Sequence, residues 1–381
     1  MSHVLNEKIT RFLAERQPPT PCLVLDLDVV REQYRRLAEA FPLAEIYYAV
    51  KANPAPEVLR CLHELGSRFD AASVYEVDDC LDLGIAPGRL SYGSTIKKER
   101  DIAHAHRVGV GLFAFDAADE LHKIARAAPG AKVFCRIITS GAGADWPLSR
   151  KFGCELDMAL DLLVEARSLG LAPTGVSFHV GSQQRDPEQW DVAIGETARL
   201  FTDLNAAGIE LRAINIGGGF PAQYRTGIPP IEAYGEAVTR SMTRHFGNHR
   251  PEMLLEPGRY IVGDAGVIQS EVVLVAQKGY GEQRRRWIFL DVGKFGGLPE
   301  TIGEAIHYRL RTPHDGKPGG PVAISGPTCD EVDVLYDETH YELPFDLAEG
   351  DKVEFLSAGA YTASYASVGF NGFPPLKQYV I

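Results

Sequence analysis

The sequence lacks the features that would place the protein on nucleic acid or in a membrane. Its 39 Lys and Arg residues are outnumbered by 51 Asp and Glu residues, for a formal charge of −12. Such a chain has no positive field to attract a phosphate backbone. It also lacks the run of about 20 apolar residues that crosses a bilayer, and scattered charges in its first 28 residues argue against a signal peptide. We therefore expect a cytoplasmic protein with no nucleic-acid partner and no membrane partner.

Cysteine is also sparse and widely spaced. The six cysteines are Cys22, Cys61, Cys80, Cys135, Cys154 and Cys329, and no two of them form a CxxC pair. This spacing argues against a zinc site and against a disulfide framework, so no metal is expected. Most of these residues are predicted to be buried as small hydrophobic side chains.

Hydrophobic content of 45% in 381 residues is enough for a large core and two domains. Eight short β-rich runs alternate with segments of helical periodicity, which predicts repeated βα units and a parallel sheet. The runs cover residues 46–50, 68–70, 90–92, 112–115, 132–137, 175–180, 213–219 and 253–258. Eight such units predict an α/β protein with a (β/α)8 TIM-like barrel.

The pattern changes beyond residue 262. Alternating or β-branched runs there are separated by Gly, Pro and Asp turns, which predicts an antiparallel β-domain. We place the barrel at residues 29–262 and the β-domain at 263–381.

Unusual polar residues lie at the ends of the predicted barrel strands, where the active site of such a barrel is built. The polar residues are Lys51, Asp70, Arg136, His179, Glu256 and Arg259, and the glycines Gly217, Gly218 and Gly219 lie at the end of the seventh run. Lys51 follows the apolar run YYAV, which predicts a stem inside the barrel mouth, where desolvation lowers the pKa of the amine. A lysine so placed can form a Schiff base, although a lysine after a strand is more often a solvated charge.

The triple glycine of INIGGGFP has no side chains, so its backbone N–H groups can surround an anion. Loops after the seventh and eighth strands are the recurring phosphate site of this barrel. Glu256 can keep a pyridine nitrogen protonated, and the ring of His179 can stack on a flat cofactor. If no cofactor binds, the triple glycine is simply a flexible turn, Glu256 belongs to a surface ion pair, and His179 is a structural hydrogen-bonding residue.

Taken together, the motifs YYAVKANP, FHVGSQ, GGGFP, EPGRY, GPTCD, GAYT and VGFNGF resemble those of the alanine-racemase-like, fold-type III pyridoxal-phosphate enzymes. Within that group the chain resembles the ornithine decarboxylase branch of the basic amino acid decarboxylases. The resemblance implies that residues 1–28 join the β-domain and that Lys51 forms the Schiff base with pyridoxal 5′-phosphate. It also implies a cofactor-binding set made of Lys51, Asp70, Arg136, His179, Ser182, Gly217, Gly218, Gly219, Glu256, Gly258, Arg259 and Tyr361.

The same resemblance implies roles for two residues of GPTCD. Cys329 protonates the carbanion after carbon dioxide leaves, and Asp330 binds the distal ammonium of the substrate. In this family the segment reaches the barrel of a neighbouring subunit, so a head-to-tail homodimer with shared active sites is expected. Without the resemblance, a buried inert thiol would be the better interpretation of Cys329.

Asp330 favours a small diamino acid, and the expected reaction is decarboxylation of L-ornithine to putrescine. Glu304, Phe295 and Phe370 are predicted to line the substrate pocket. Glu304 stands where ornithine enzymes carry Asp, and Phe295 where many relatives carry Tyr, so a bifunctional lysine/ornithine decarboxylase stays open. A diaminopimelate decarboxylase, a racemase and a non-catalytic regulatory homologue stay open as well, although Glu256 argues against the racemase.

Overall fold

The protein is described by a computed structural model, covering residues 7–147, 151–281 and 284–381. In these residues the strands are β1 (Cys22–Leu25), β2 (Ala44–Ala49), β3 (Arg68–Ala71), β4 (Leu90–Tyr92), β5 (Leu112–Phe115), β6 (Lys132–Arg136), β7 (Ala144–Trp146), β8 (Ala172–Ser177), β9 (Ser182–Gln184), β10 (Ala213–Asn215), β11 (Glu252–Leu255), β12 (Gly266–Lys278), β13 (Arg285–Leu290), β14 (Arg309–Arg311), β15 (Gly319–Ser325), β16 (Val334–Pro344), β17 (Lys352–Leu356) and β18 (Lys377–Val380).

The helices are α1 (Glu7–Arg16), α2 (Leu27–Ala40), α3 (Pro56–Glu64), α4 (Val74–Asp82), α5 (Glu99–Arg107), α6 (Ala118–Ala127), α7 (Leu156–Ser168), α8 (Trp190–Ala206), α9 (Ile231–Phe246) and α10 (Arg259–Val262). The chain divides into two compact units. Among the described residues, one contains Arg31–Pro221 and Ile228–Tyr260, and the other contains 7–30, Ala222–Gly227 and Ile261–Ile381.

The first unit is a closed barrel of eight parallel strands in the order β2, β3, β4, β5, β6, β8, β10 and β11. Side chains on these strands are largely buried, and Tyr47, Phe134, Ala213 and Leu254 form one apolar cluster. Gly175 makes room for it, since a Cβ there would lie 2.7 Å from the ring of Phe134. The predicted (β/α)8 barrel is confirmed.

Three of the barrel strands end earlier than the sequence predicts. The runs 175–180, 213–219 and 253–258 were expected to be strands, but β8, β10 and β11 end at Ser177, Asn215 and Leu255. Glycine conformation explains one of these ends, because Gly217 has a φ of +68°, outside the extended region. His179, the glycine turn and Glu256 therefore lie in loops just beyond the strand ends.

The second unit is a sheet in the order β14, β17, β12, β13, β15 and β16, with β1 paired to β12 and β18 paired to β1. Its long strand β12 pairs antiparallel with β1, β13 and β17. The pairs β13 with β15 and β1 with β18 are parallel. The β-domain is thus mainly antiparallel, as predicted, with two parallel pairs that the residue pattern did not reveal.

The core of this sheet is rich in tyrosine. The hydroxyl of Tyr341 donates to the carbonyl oxygen of Tyr308 at 2.7 Å, and that of Tyr336 donates to the carbonyl of Ile306 at 2.6 Å. Both rings are buried and their phenol groups are hydrogen-bonded, as burial of a polar group requires. Across the described ranges, no helix has the length and apolar composition needed to span a bilayer.

Candidate active site

Parallel strands end at one mouth of the barrel, so the loops after them bring distant residues together. Lys51 follows β2 and Asp70 lies in β3, and their side chains meet, with Lys51 Nζ 3.4 Å from Asp70 Oδ2. Asp70 is buried, and its other carboxylate oxygen accepts a hydrogen bond from the hydroxyl of Ser91 at 3.0 Å. The absence of a side chain at Gly93 leaves room for this carboxylate, because a Cβ there would lie 2.0 Å from it.

The setting of Lys51 differs from the expectation. Its side chain is 43% exposed, against 4% for Asp70. The prediction that the side chain of Lys51 is buried is wrong for the single chain. The lysine lies in a short 3-10 turn after the buried strand, and not in the strand itself. What distinguishes this amine is the buried carboxylate beside it.

Glu256 is tied to the glycine turn through Asn215. The side-chain amide of Asn215 donates to Glu256 Oε1 at 2.5 Å, while its oxygen accepts the N–H of Gly217 at 2.9 Å. Burial, reinforced by the negative charge of Asp70, raises the pKa of Glu256 to about 7, although Lys51, Asn215 and Arg136 oppose the shift. A carboxyl group of this kind becomes ionised readily when a cationic partner arrives.

His179 is held as a neutral ring. Its Nδ1 accepts the N–H of Gly181 at 3.0 Å, which directs the ring proton to Nε2. Desolvation, followed by the charges of Arg136 and Lys51, lowers the pKa of His179 to about 3. The ring is therefore uncharged near neutral pH and can stack on a flat partner.

The glycine turn offers backbone donors. The N–H of Gly217 is taken by Asn215, whereas no described residue accepts the N–H of Gly218 or Gly219. A Cβ on Gly218 would lie 2.4 Å from the carbonyl oxygen of Glu256, and one on Gly219 would lie 2.5 Å from that of Gly181. Glycine is thus required for close packing of the loops as well as for access of an anion.

A cationic group lies at the start of α10, in the same unit. The guanidinium of Arg259, which is 3% exposed, donates to the hydroxyl of Ser182 at 3.0 Å. Gly258 is buried immediately before it, and the carbonyl oxygen of Pro257 accepts the N–H of Ala49 at 2.9 Å. Arginine, a hydroxyl and free backbone N–H groups are the donors that bind phosphate in proteins.

The glycine turn is anchored by aromatic packing behind it. Phe220 stacks on Trp190 with ring centroids 5.1 Å apart, and the indole N–H of Trp190 donates to the carbonyl oxygen of Ile216 at 3.2 Å.

Arg136 lies at the end of β6. Its guanidinium is 5.4 Å from the ring centroid of Phe152, and burial lowers the pKa of Arg136. The barrel unit thus supplies a rigid frame for this mouth.

The remaining predicted site residues belong to the β-domain. Cys329 and Asp330 are exposed on the loop between β15 and β16, and Cys329 is the exposed member of the six cysteines, all of which lie in described parts of the chain. Phe295 and Phe370 pack together with ring centroids 4.6 Å apart. Tyr361 has a φ of +56° and its ring lies 5.8 Å from that of Tyr365.

Glu304 does not offer the free carboxylate that a substrate ammonium needs. Its two oxygens accept the backbone N–H groups of Asp337, Glu338 and Thr339 at 2.6, 2.9 and 2.6 Å. These bonds lower the pKa of Glu304 against the opposing effect of burial. The 3-10 segment Pro299–Glu304 that carries it is broken by a kink, because Ile302 and Gly303 have non-helical backbone angles. The carboxylate holds strand β16 within the β-domain, which corrects the picture of a substrate-facing acid.

Residue-by-residue reasoning missed Asn215, Ser91 and two residues near the cysteine loop, Asp333 and Asn371. Asn215 had a recognisable signal, because an Asn two residues before a glycine can accept the N–H of that glycine in an Asx turn. The contacts of Ser91, Asp333 and Asn371 join segments far apart in the sequence, so no local pattern reveals them.

The barrel mouth fits one kind of cofactor. It provides an amine for an aldehyde, donors for a phosphate and a carboxyl group of raised pKa for a basic ring nitrogen. The structural basis for this fit is the pair of unpaired N–H groups of the glycine turn and the partly buried Glu256. Pyridoxal 5′-phosphate carries all three complementary groups.

Comparison with known proteins gives the same result. A family model described as "Pyridoxal-dependent decarboxylase, pyridoxal binding domain" matches residues 27–263. The chain is 37% identical over 370 residues to the lysine/ornithine decarboxylase of Selenomonas ruminantium, covering 97% of this chain and 91% of that protein. It is 32% identical over 379 residues to the ornithine decarboxylase of Schizosaccharomyces pombe, covering 96% and 85%.

A solved structure of the lysine decarboxylase from Selenomonas ruminantium in complex with pyridoxal phosphate and cadaverine is similar throughout. Its TM-score is 0.87 at 35% identity, covering 99% of this chain and 94% of that one. The chain therefore belongs to the pyridoxal-dependent decarboxylases, in the fold-type III group whose members act on basic amino acids, and its cofactor is pyridoxal 5′-phosphate.

Proposed function

We propose that this chain decarboxylates L-ornithine to putrescine. The observation that carries the substrate choice is the exposed carboxylate of Asp330. Its Oδ1 accepts the N–H of Val332 at 3.0 Å, which orients the group, while Oδ2 accepts no hydrogen bond within the described chain. An oriented, accessible carboxylate suits a terminal ammonium.

In the proposed reaction the barrel residues hold the cofactor. Bound pyridoxal 5′-phosphate supplies an electron sink for the bond between the substrate Cα and its carboxylate. Lys51 provides the amine that retains the cofactor covalently, and Arg259, Ser182 and the glycine turn bind its phosphate. Glu256, oriented by Asn215, pairs in its ionised form with the ring nitrogen. Neutral His179 would stack on the ring of the bound cofactor.

Cys329 completes the reaction as the proton donor. After carbon dioxide has left, the thiol gives its proton to the substrate carbon, and solvent restores the thiol. We propose that Cys329 and Asp330 act in the barrel of a second copy of the chain, in a head-to-tail homodimer with shared sites. Val332, in the cysteine loop, is 59% exposed and Val368 is 84% exposed, so the β-domain carries apolar side chains that a second copy can cover.

A bifunctional lysine/ornithine decarboxylase is the second candidate. The hydrogen bonds of Glu304 favour this candidate. Its carboxylate already accepts backbone N–H groups, so it does not restrict the length of the diamino acid side chain. Diaminopimelate is disfavoured because its distal carboxylate would face the like charge of Asp330. A non-catalytic homologue is disfavoured because the amine, the glycine turn, Glu256 and Cys329 are all retained.

The test is a comparison of kcat/KM on ornithine, lysine, arginine and diaminopimelate with one preparation of the holoenzyme. We expect ornithine to be the best substrate. Lysine, which is one methylene longer, should be the poorer substrate. Its transition state should be bound less tightly by about 1–3 kcal/mol, the usual range for one methylene. A preference for lysine would support the second candidate, and a preference for diaminopimelate would contradict both.

The shared site is tested by mixing two variants that are impaired in diamine formation. Lys51→Ala removes the amine from the barrel, and Cys329→Ala removes the thiol from the β-domain, so that protonation is slowed or misdirected. If the amine and the thiol of one site come from different chains, mixed dimers recover diamine formation in the site that retains both. Failure to recover activity after subunit exchange, with exchange verified by mass spectrometry, would mean that one chain supplies both groups.

A further inference from the structure

A buried carboxylate with no role in the proposed chemistry lies just after the cysteine loop. Asp333 is 1% exposed. Its Oδ1 accepts the backbone N–H of Lys294 at 2.7 Å, and its Oδ2 accepts the N–H and the hydroxyl of Thr328 at 3.1 and 2.7 Å. One side chain therefore joins the loop after β13 to the residue that precedes Cys329.

The surrounding sequence makes room for this carboxylate. A Cβ on Gly293 would lie 2.1 Å from Asp333 Oδ1, and one on Gly326 would lie 2.4 Å from Oδ2. The backbone of Asp333 closes the same loop, since its carbonyl oxygen accepts the N–H of Gly326 at 2.8 Å and its N–H donates to the carbonyl of Asp330 at 3.0 Å. Both ends of the loop are thus fixed at Asp333.

A second side chain holds the loop at the cysteine. Oδ1 of Asn371 accepts the backbone N–H of Cys329 at 3.0 Å. Asn371 has φ and ψ of 50° and 21°, in the left-handed region that asparagine tolerates better than most residues. The N–H of Cys329 is thus held by a side chain from a distant part of the sequence, and the N–H of Thr328 by Asp333 at the end of the same loop.

We infer that Asp333 and Asn371 are positioning residues that fix the direction from which Cys329 delivers its proton. This inference rests on the proposed function, in which Cys329 is the donor. Without these bonds the loop would be an exposed segment with few fixed contacts, and such segments are mobile. A displacement of about 1 Å in a reacting group can cost about a hundredfold in rate.

A displaced thiol leaves a chemical trace in the products. When the proton reaches the substrate carbon, the product is the diamine. When it reaches the cofactor carbon instead, water hydrolyses the bond to nitrogen, an amino aldehyde is released, and the amino group stays on the cofactor. The ratio of aldehyde to diamine therefore reports where the proton went, independently of the overall rate.

The most direct test uses two substitutions at position 371. Asn371→Gly removes the acceptor but permits the same backbone angles, and Asn371→Asp keeps an acceptor oxygen at the same place. In the holoenzyme acting on ornithine, we expect the glycine variant to raise the aldehyde ratio at least about tenfold. The aspartate variant should stay near the parent ratio.

Asp333→Ala tests the second contact by hydrogen exchange. In the holoenzyme the N–H groups of Lys294 and Thr328 should exchange about tenfold faster or more, because both lose a charged acceptor. The aldehyde ratio should rise in parallel. Glu331→Ala, which removes an exposed acid from the same loop, is the matched control and should change neither measurement.

The two possible failures can be told apart with Cys329→Ala. If Cys329→Ala raises the aldehyde ratio while Asn371→Gly and Asp333→Ala leave it at the parent value, the positioning role is wrong and the proposed function stands. If Cys329→Ala also leaves the ratio unchanged, or the parent forms no diamine from any basic amino acid, the proposed function fails first.

Discussion

The barrel mouth and the cysteine loop hold their chemical groups in different ways. Lys51, Asp70 and Glu256 lie within two residues of barrel strands, and the strand pairing places their backbones. Cys329 and Asp330 lie between β15 and β16, where pairing has ended. The loop is fixed instead by the side chain of Asp333, at its own end, and by that of Asn371, from a distant segment. A barrel site thus depends on the strand ladder, whereas the loop depends on a few individual hydrogen bonds.

This difference between the two regions has a practical consequence. A substitution at the barrel mouth removes one group while its neighbours stay in place, because the strands remain paired. A substitution among the loop contacts changes the position of groups that remain chemically intact. The effect of removing a chemical group can therefore be distinguished from the effect of displacing it. The four variants described next sharpen this distinction.

The largest effect is expected for Lys51→Ala. Loss of the amine removes the covalent attachment of the cofactor, and turnover should fall to the background level. Mass spectrometry after borohydride reduction checks this directly, since the parent should retain the cofactor mass on the peptide containing Lys51 and the variant should not. Lys98→Ala, an exposed lysine of the barrel unit, is the control. Normal turnover in Lys51→Ala would refute the role of this residue.

Asp330→Ala should have the next largest effect. Loss of a charge-assisted hydrogen bond to the substrate costs about 1.5–3 kcal/mol, roughly ten- to a hundredfold in kcat/KM for ornithine. Cofactor absorbance should be unchanged, since the loop remains held by Asp333 and Asn371. The neighbouring variant Glu331→Ala serves as the reference. Equal kcat/KM in Asp330→Ala and the parent would remove the proposed tail-binding role.

Gly218→Ala tests the close packing of the barrel loops. The added methyl group would lie 2.4 Å from the carbonyl oxygen of Glu256, so the loop must move. Overpacking of this kind costs about 1–3 kcal/mol, which urea unfolding of the cofactor-free protein can measure. Gly88→Ala is a matched control, because nothing lies within 4 Å of a Cβ at that position. Equal destabilisation by both variants would contradict the steric explanation.

The smallest effect is a pH dependence. The pKa of His179 is lowered to about 3 from an ordinary value of 6.5, so its contribution to stability is complete above 6.5 and is lost as the pH falls towards 3. The slope from this group is at most about 1.4 kcal/mol per pH unit. Glu256, with its pKa raised to about 7, works in the opposite direction, stabilising the folded state as the pH falls below 7.

Comparison of the cofactor-free parent with His179→Gln isolates the histidine contribution. Urea unfolding should show less acid destabilisation in the variant than in the parent below pH 6.5. Parallel stability curves for the two proteins would show that the imidazole is solvated rather than enclosed at the barrel mouth.

Much of the barrel could be predicted because its signals are local. Eight apolar runs spaced by amphipathic segments define eight βα units, and parallel strands place every strand end at the same mouth. That reasoning predicts that Lys51 and Asp70 lie at the same mouth, as they do in the structure. It did not predict how exposed Lys51 is, because exposure depends on what the neighbouring loops cover and not on the apolar run before the residue.

The β-domain was less predictable for a physical reason. Alternating residues indicate strands, but they do not specify which strands become neighbours, so the parallel pair of β13 and β15 had no sequence signal. Glu304 has the correct chemistry for a substrate ammonium. Three backbone N–H groups more than thirty residues away bind it instead.

Hydrophobic periodicity and glycine content act over short stretches of chain, so local patterns were enough to establish the barrel, the β-domain and the residue types available for chemistry. Only the folded arrangement shows which carboxyl groups can meet a reacting partner and which accept hydrogen bonds from the backbone. Glu256, Glu304 and Asp333 all carry carboxyl groups, and their surroundings alone place one at the barrel mouth and make the other two acceptors of backbone N–H groups within the β-domain. Such differences arise from long-range hydrogen bonds and desolvation, which no local pattern contains.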